Sequence, residues 1–297
     1  MTYLTWTPYR GSPVLTFKEG TNMTATAIDG LSNTGSDPQT TKAPAQYGTT
    51  LIDNAINPRT IGITAAVEGT DHTNAMQLRS DFARAMFSPP RRYSGINSGP
   101  QMGLLSIYRD GGLPPLEINA IPVDSPQIQQ VSDKAFLADM EFYCPYPYFQ
   151  VQNDTYVALG VSAGFTWPVT FPLAMASFNV QVNVDNPGDV PVPVLLRMYG
   201  DSTTTRFINE TTQEYIEITG NIPAANYVEI NTEFGVKSVE VVLAANPLIR
   251  VNAINLLNLA MAQLWWLEPG NNVITYEANV NTSGFAQMYF RPRYAGV

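Results

Sequence analysis

The sequence predicts a mainly β protein of the α+β class, built as two domains. Three observations carry that prediction. Apolar and polar side chains alternate with the two-residue period of half-buried strands through much of the chain, as in Ile61, Ile63, Ala65 and Val67 against Thr60, Thr64 and Glu68. One stretch alone, Asp71 to Pro90, carries its apolar residues at helical spacing. A proline- and aromatic-rich segment, Cys144 to Phe149, then interrupts the strand pattern near the middle of 297 residues, a length sufficient for two cores.

Taken in order, strands are expected around Val14–Phe17 and Met23–Ile28. Residues 29–50 hold glycine, proline, serine and threonine with little to bury, and read as a long loop. Long loops inside compact domains are functional or unstructured, and contact with a neighbouring subunit is the first expectation here. The strand at 61–67 leads into the helix. Ala75, Leu78, Phe82 and Met86 share one face, with Gln77, Asp81 and Arg84 on the other. Asp71 or Thr73 can cap its first turn, and Ser88-Pro89-Pro90 stops it, because proline disfavours α geometry before it and has no N–H. From Asn74 to Phe87 it would span about 21 Å. A second polar loop, 91–103, precedes strands at Leu104–Tyr108 and Leu116–Val123. Phe136, Ala138, Met140 and Phe142 then alternate with Leu137, Asp139 and Glu141. One amphipathic helix on one face of an antiparallel sheet satisfies both apolar surfaces.

The stiff Cys144-Pro-Tyr-Pro-Tyr-Phe149 segment marks the junction, which divides the chain into domains 1–148 and 149–297. The second domain reads as strands throughout. Phe178, Val180, Val182 and Val184 form one face; Asn186-Pro-Gly-Asp189 turns the chain; Val192, Val194, Leu196 and Met198 form the next. Ile216 and Ile218, Val228 and Ile230, then Val239, Val241 and Leu243 continue the series. The turn Glu268–Asn272 precedes Ile274, Tyr276, Ala278 and Val280, and Ala286, Met288 and Phe290 close it. Short strands with turn signals at this spacing indicate a β-sandwich. Residues 253–267 fit a strand pair or a short helix, and strands are favoured.

Composition limits the function. Charged residues are scarce at 14% and the net charge is −9. Residues 1–150 carry 10 basic and 13 acidic side chains, and residues 151–297 carry 6 and 12. No basic footprint for gripping phosphates exists, and Arg91-Arg92 reads as a solvated pair. Low charge with 23 prolines and 21 glycines fits surface covered by other subunits, or a β-rich monomer with a polar, uncharged surface. A basic start followed by an apolar run is not visible at the N-terminus, and no stretch is long and apolar enough to span a membrane.

Catalytic chemistry finds little material. His72 is the sole histidine, so His-based triads and multi-histidine metal sites are impossible, and it reads as a surface or cap residue. Cys144, also single, reads as buried apolar filler. Glu214 and Glu217 point to opposite faces of a strand, so with Glu210 they make no acid–base pair. Asp185–Asp189 reads as an Asx-type turn rather than a calcium loop. Trp265-Trp266 is the one pair that suits sugar stacking, with one ring in the core and the other free. No catalytic, cofactor-binding or metal residues are assigned, no cofactor is expected, and the chain is not expected to be an enzyme.

Several segments together resemble the distal tail proteins of long-tailed, siphovirus-type phages. They are Arg59-Thr-Ile61-Gly-Ile63 with Gly69 and the helix bearing Leu78-Arg79 and Phe82, then Met140 to Phe149, then Asn186-Pro-Gly188-Asp189 with a strand ending at Gly200. Ile208-Asn209-Glu-Thr211-Thr212-Gln-Glu214, Leu267-Glu-Pro269-Gly270-Asn271-Asn272-Val-Ile274 and Arg293-Tyr294 complete the order. The resemblance covers most of the chain from Arg59 onward. It implies an N-terminal tail-tube-like β-sandwich or barrel with one helix and a C-terminal galectin-like β-sandwich. It further implies a homo-oligomer, a hexameric ring at the virion tail tip, assembled in the host cytoplasm. That ring would join the tail tube protein to the tip or hub protein and dock receptor-binding or fibre proteins, with DNA passing through the lumen without specific binding and no membrane partner. The rival readings are a carbohydrate-binding tail protein using the C-terminal sandwich, and a tail tube subunit.

Overall fold

The computed structural model describes residues 3–9, 11, 13–87, 102–160, 178–200, 202–220, 225–259, 263–280 and 285–297. The chain is mainly β, with one α-helix among the described residues and antiparallel sheets in two sandwich-like bodies. It divides into two compact units, one of residues 1–152 with 294–297 and one of residues 153–293.

In the first unit the strands are β1 (Tyr3–Thr7), β2 (Leu15–Phe17), β3 (Met23–Asp29), β4 (Ser36–Thr41), β5 (Thr50–Ile56) and β6 (Arg59–Glu68). Helix α1 (His72–Ala85) follows, then β7 (Gly103–Tyr108), β8 (Leu116–Pro122), β9 (Gln127–Gln130), β10 (Ala135–Cys144) and β11 (Phe149–Val151). The sheet order is β2-β1-β7-β8-β10-β6-β3. Its longest ladder runs from Ala135 opposite Glu68 to Cys144 opposite Arg59, so the two strands with the clearest alternation pair along their whole length. Their inward rows, Ile61, Ile63, Ala65 and Val67 with Phe136, Ala138, Met140 and Phe142, are buried. The chain leaves this unit after Gln152 because Phe149–Val151 still pairs with β8.

The helix packs as its spacing requires. Ala75, Phe82 and Met86 are buried and Leu78 is half-buried against the same core. Asp71 caps it, its carboxylate accepting from the Asn74 amide at 2.8 Å. The helix therefore begins at His72, ahead of the expected Asn74. Phe82 meets Phe136 edge-on at 6.4 Å between ring centres. Trp6 of β1 lies 4.7 Å from Phe142 and donates from Nε1 to the Ala85 carbonyl at 2.9 Å, tying the end of α1 to the sheet. Gly103 makes room for that indole: a Cβ there would lie 2.2 Å from the Trp6 ring. The expected helix stop at Ser88-Pro89-Pro90, the Arg91-Arg92 pair and most of the 91–103 loop lie outside the described residues.

The second unit contains β12 (Thr155–Leu159), β13 (Phe178–Asn186), β14 (Leu195–Tyr199), β15 (Ser202–Asn209), β16 (Glu214–Thr219) and β17 (Asn226–Asn231). Then come β18 (Ser238–Leu243), β19 (Arg250–Asn252), β20 (Gly270–Val280) and β21 (Phe285–Phe290). One sheet has the order β12-β21-β14-β17-β18-β19 and the other β13-β20-β15-β16. Leu196, Met198, Val228, Ile230 and Met288 of the first share one core with Phe207, Ile216, Ile218, Ile274 and Tyr276 of the second. This is the expected sandwich.

Two expectations need correction. Residues 29–50 are not one loop: β4 and β5 form a hairpin, Ser36 opposite Ile56 through Thr41 opposite Thr50. Among the described residues of 253–267 there is no strand pair. They hold a 3-10 turn at Ile254–Leu256 and single bridges from Leu257 to Ile218 and from Leu267 to Val192. Ala253, Leu257, Trp265 and Leu267 are buried and share one parity, as strand residues would, but the described residues join the sheets through isolated bridges and not through a ladder.

Candidate assembly surface

The β4–β5 hairpin has the properties of a contact element. Every residue of both strands is exposed, so neither face lies on the unit's core. It nevertheless carries large apolar groups: Leu51 is 60% exposed, Ile52 66%, and Tyr47 at the tip is fully exposed. The tip is held by its own hydrogen bonds. Gln46 Oε1 accepts from the Ala43 amide at 2.9 Å, and Gln46 Nε2 donates to Thr50 Oγ1 at 2.9 Å. At the base the Asn57 amide donates to the Gly35 carbonyl at 3.1 Å. A lone two-stranded hairpin is at best marginally stable in water. Exposed apolar groups on a free ribbon mark a surface suited to being covered.

The second unit presents a different surface, on the outward side of the six-stranded sheet. Phe285, Tyr199 and Tyr227 stand opposite one another on β21, β14 and β17, with ring centres 4.6 and 4.9 Å apart. In the next row Arg197 bonds Glu229 at 2.8 Å. Arg250 bridges Glu229 at 2.6 Å and Glu240 at 2.9 Å, offsetting the like charges that the register places opposite each other. Arg197 also lies 4.9 Å from the centre of the Tyr289 ring. Each charge has its partner, so this ladder binds its own strands together. Alternation in the sequence marks Tyr199 and Phe285 as outward, but only the register makes them neighbours.

The residues weighed for chemistry are dispersed. His72 Nδ1 lies 3.1 Å from the Asp133 carbonyl at the helix start. Cys144 is fully buried, and burial pushes its thiol up to about 12, which leaves no thiolate for nucleophilic attack near neutrality. Glu217 is buried and paired with Arg206, and Asn258 Nδ2 donates to it at 2.7 Å; those two partners, Asn258 first, hold its carboxyl below the usual range. Glu214 stands opposite Asn209, away from that pair. The Asn186 side-chain oxygen accepts from the Gly188 amide at 3.1 Å, so the 185–189 turn is held by its own amide. Trp265 is buried and donates to the Phe207 carbonyl at 3.1 Å; Trp266 is half-buried and donates to Thr232 at 3.0 Å. Among the described residues no three His, Cys, Asp or Glu side chains cluster as metal ligands.

No protein-family model matches the sequence, and no curated protein matches it. The structure aligns over its full length with the crystal structure of SPP1 Dit (gp 19.1), presented as a paradigm of the hub adsorption apparatus in phages infecting Gram-positive bacteria. The TM-score is 0.64 at 10% identity, covering 99% of each chain. The chain has the Dit fold. Chains of the phage P2 baseplate in its activated conformation, with Ca and with Sr, align more loosely. Their TM-scores are 0.49 and 0.48 at 10% and 11% identity, covering 100% of this chain and 99% of theirs. The SPP1 Dit alignment spans both units. The similarity is to a structural hub protein, not to an enzyme family.

Proposed function

We propose that this protein is a structural hub component of a phage tail tip, a distal tail protein that assembles as a ring. The ring, a hexamer on the family resemblance, joins the tail tube protein to the tip or hub protein and carries receptor-binding or fibre proteins outside. It is a virion protein of the tail tip, assembled in the host cytoplasm. The observation that carries this reading is the full-length match to the Dit fold. The hairpin supports it, because a ring needs two different patches on each subunit, one to reach out and one to receive. On this reading β4–β5 is the reaching patch, and it buries its own Tyr47, Leu51 and Ile52 against the next copy.

Duplex DNA passes through the lumen lined by the first domain, 1–148. Lysine and arginine facing inward would hold phosphates, whereas neutral or acidic side chains leave the duplex free to slide. The lining is therefore expected to be mostly Asp, Glu, Ser, Thr, Asn and Gln. Purified protein examined by native mass spectrometry and negative-stain microscopy tests the proposal. Closed rings that do not retain duplex DNA at low salt support it; a monomer at tens of micromolar, or rings that hold DNA, overturns it. For the carbohydrate-binding reading the tryptophan pair offers little, since Trp265 is core and Trp266 is half-buried with its Nε1 donating to the Thr232 carbonyl.

A further inference from the structure

Arg59 is buried, 2% exposed, where a charge has no water to solvate it. Each hydrogen-bond partner of its guanidinium is a main-chain carbonyl. Nε donates to Pro147 at 2.7 Å, Nη1 to Gly30 at 2.6 Å and to Ser32 at 2.5 Å, and Nη2 to Ala295. The guanidinium carbon lies 4.5 Å from the centre of the Phe149 ring, which covers one face. Burial lowers its proton affinity, yet guanidinium starts so high that it keeps its charge.

The carbonyls belong to places far apart in sequence that share one neighbour, the root of the β4–β5 hairpin. Gly30 and Ser32 lie on the leg that enters β4, which begins at Ser36. Arg59 itself lies on the returning leg, just after β5 ends at Ile56. One side chain therefore grips the opposite leg from its own. A third strand of chain is laid against the same spot: the Val297 amide donates to the Leu31 carbonyl at 3.0 Å, between the two carbonyls that Arg59 holds. Gly30 has a φ of +83°, and a Cβ there would lie 2.0 Å from the Thr60 carbonyl, so the entering leg is pressed tightly against β6.

We propose that Arg59 is a positioning residue for the hairpin: by clasping residues 30–32 to residues 147 and 295, it fixes the direction in which β4–β5 leaves the first unit. A purely structural arginine would stabilise the whole sheet. A clasp holds the root and residues 294–297 while β6 and β10 rest on their own apolar rows. Only a guanidinium suits the task, since its planar fork serves carbonyls on several sides, whereas an ammonium is a single point with three donors. The assembly consequence, a misdirected hairpin that cannot reach the next copy, rests on the ring proposed above. The clasp itself does not.

The experiment is hydrogen exchange by mass spectrometry on the full chain and on three variants, Arg59→Gln, Arg59→Lys and Gly30→Ala. The Gly30→Ala variant keeps the arginine but drives the entering leg away from it. Peptides covering 30–35 and 294–297 are expected to exchange at least about tenfold faster in all three, while those covering 61–67 and 136–142 stay within about twofold of the wild type. Loss of the Val297–Leu31 protection is the specific mark. Unchanged exchange at 294–297 and 30–35, or equal acceleration across 61–67 and 136–142, overturns the proposal. Arg59→Lys and Gly30→Ala keep it testable where Arg59→Gln fails to fold. Native mass of the same samples reads the ring separately: a monomeric wild type refutes the ring, and the exchange pattern still decides the clasp.

Discussion

Truncating Phe82 tests whether the helix holds the first unit together. The ring is fully buried in the unit's main core cluster and meets Phe136 edge-on at 6.4 Å. Its removal leaves a hole bordered by a helix and by two strands paired over ten residues, β6 and β10, which cannot collapse without breaking the ladder. Phe82→Ala is therefore expected to cost about 3–5 kcal/mol, the range for core aromatics. Two units can unfold separately, so a single melting curve for the chain is a poor gauge. Exchange of the β6 and β10 amides follows unfolding of the first unit itself. At about 1.4 kcal/mol per tenfold, the loss corresponds to roughly two to four decades in their exchange rates. Leu78→Ala, at a half-buried position on the same face, should cost about 1–2 kcal/mol, below the range for full burial. Trp6→Phe keeps most of the volume but removes the donor to Ala85, and should cost about 1–2 kcal/mol. Acceleration under tenfold in Phe82→Ala, or a larger effect in Leu78→Ala, would show that the packing of α1 has been misjudged.

Serines at Tyr47, Leu51 and Ile52 together should abolish assembly while moving the thermal midpoint by no more than about 2 °C, since these side chains are mostly exposed and none belongs to a core; sedimentation against calorimetry checks it. Cys144 gives a pH signature. Its folded value is raised to about 12 from an ordinary value of 9.0, so its contribution is complete below pH 9 and is lost as pH rises toward 12. Over that window its share of first-unit stability falls by about 1.4 kcal/mol per pH unit, a slope that Cys144→Ala should remove. Glu217 has the opposite sign: its folded value is lowered, so its contribution is present above pH 4.5 and lost on acidification. Glu217→Gln should therefore flatten the acid side of the second unit's stability profile, measured by denaturant titration at several pH values.

What the sequence disclosed, it disclosed through burial. Ile61 to Val67, Phe136 to Phe142, Val194 to Met198 and Ile274 to Ala278 each have one side against a core, and alternation follows. The helix showed for the same reason at a different period. Arg59 gave no such sign. Its partners Gly30 and Ala295 are 29 and 236 residues away, and carbonyl oxygens have no sequence identity. Counting basic residues as phosphate contacts could not find an arginine that serves the chain's own backbone. Residues 253–267 read as strands because Ala253, Leu257, Trp265 and Leu267 share one parity, but parity does not show that Leu257 and Leu267 meet the sheets through isolated bridges.

The hairpin was hidden by the same exposure that suits it to assembly. A strand lying on a core must alternate; a ribbon with both faces in solvent need not, and Ser36–Thr41 reads Ser-Asp-Pro-Gln-Thr-Thr without pattern. Its strands are thus specified by their turn and root alone. Ordering each backbone residue costs about 1–2 kcal/mol, and β4–β5 buries no apolar row of its own to offset that. What does offset it inside the chain is local: the Gln46 bonds at the tip and the Asn57–Gly35 bond at the base. On the proposed ring the remainder comes from the neighbouring copy, which covers Tyr47, Leu51 and Ile52. The hairpin amides should then be poorly protected from exchange in dilute monomer and strongly protected in the ring. Equal protection in the two states would mean that the hairpin is self-sufficient and that the contact surface lies elsewhere.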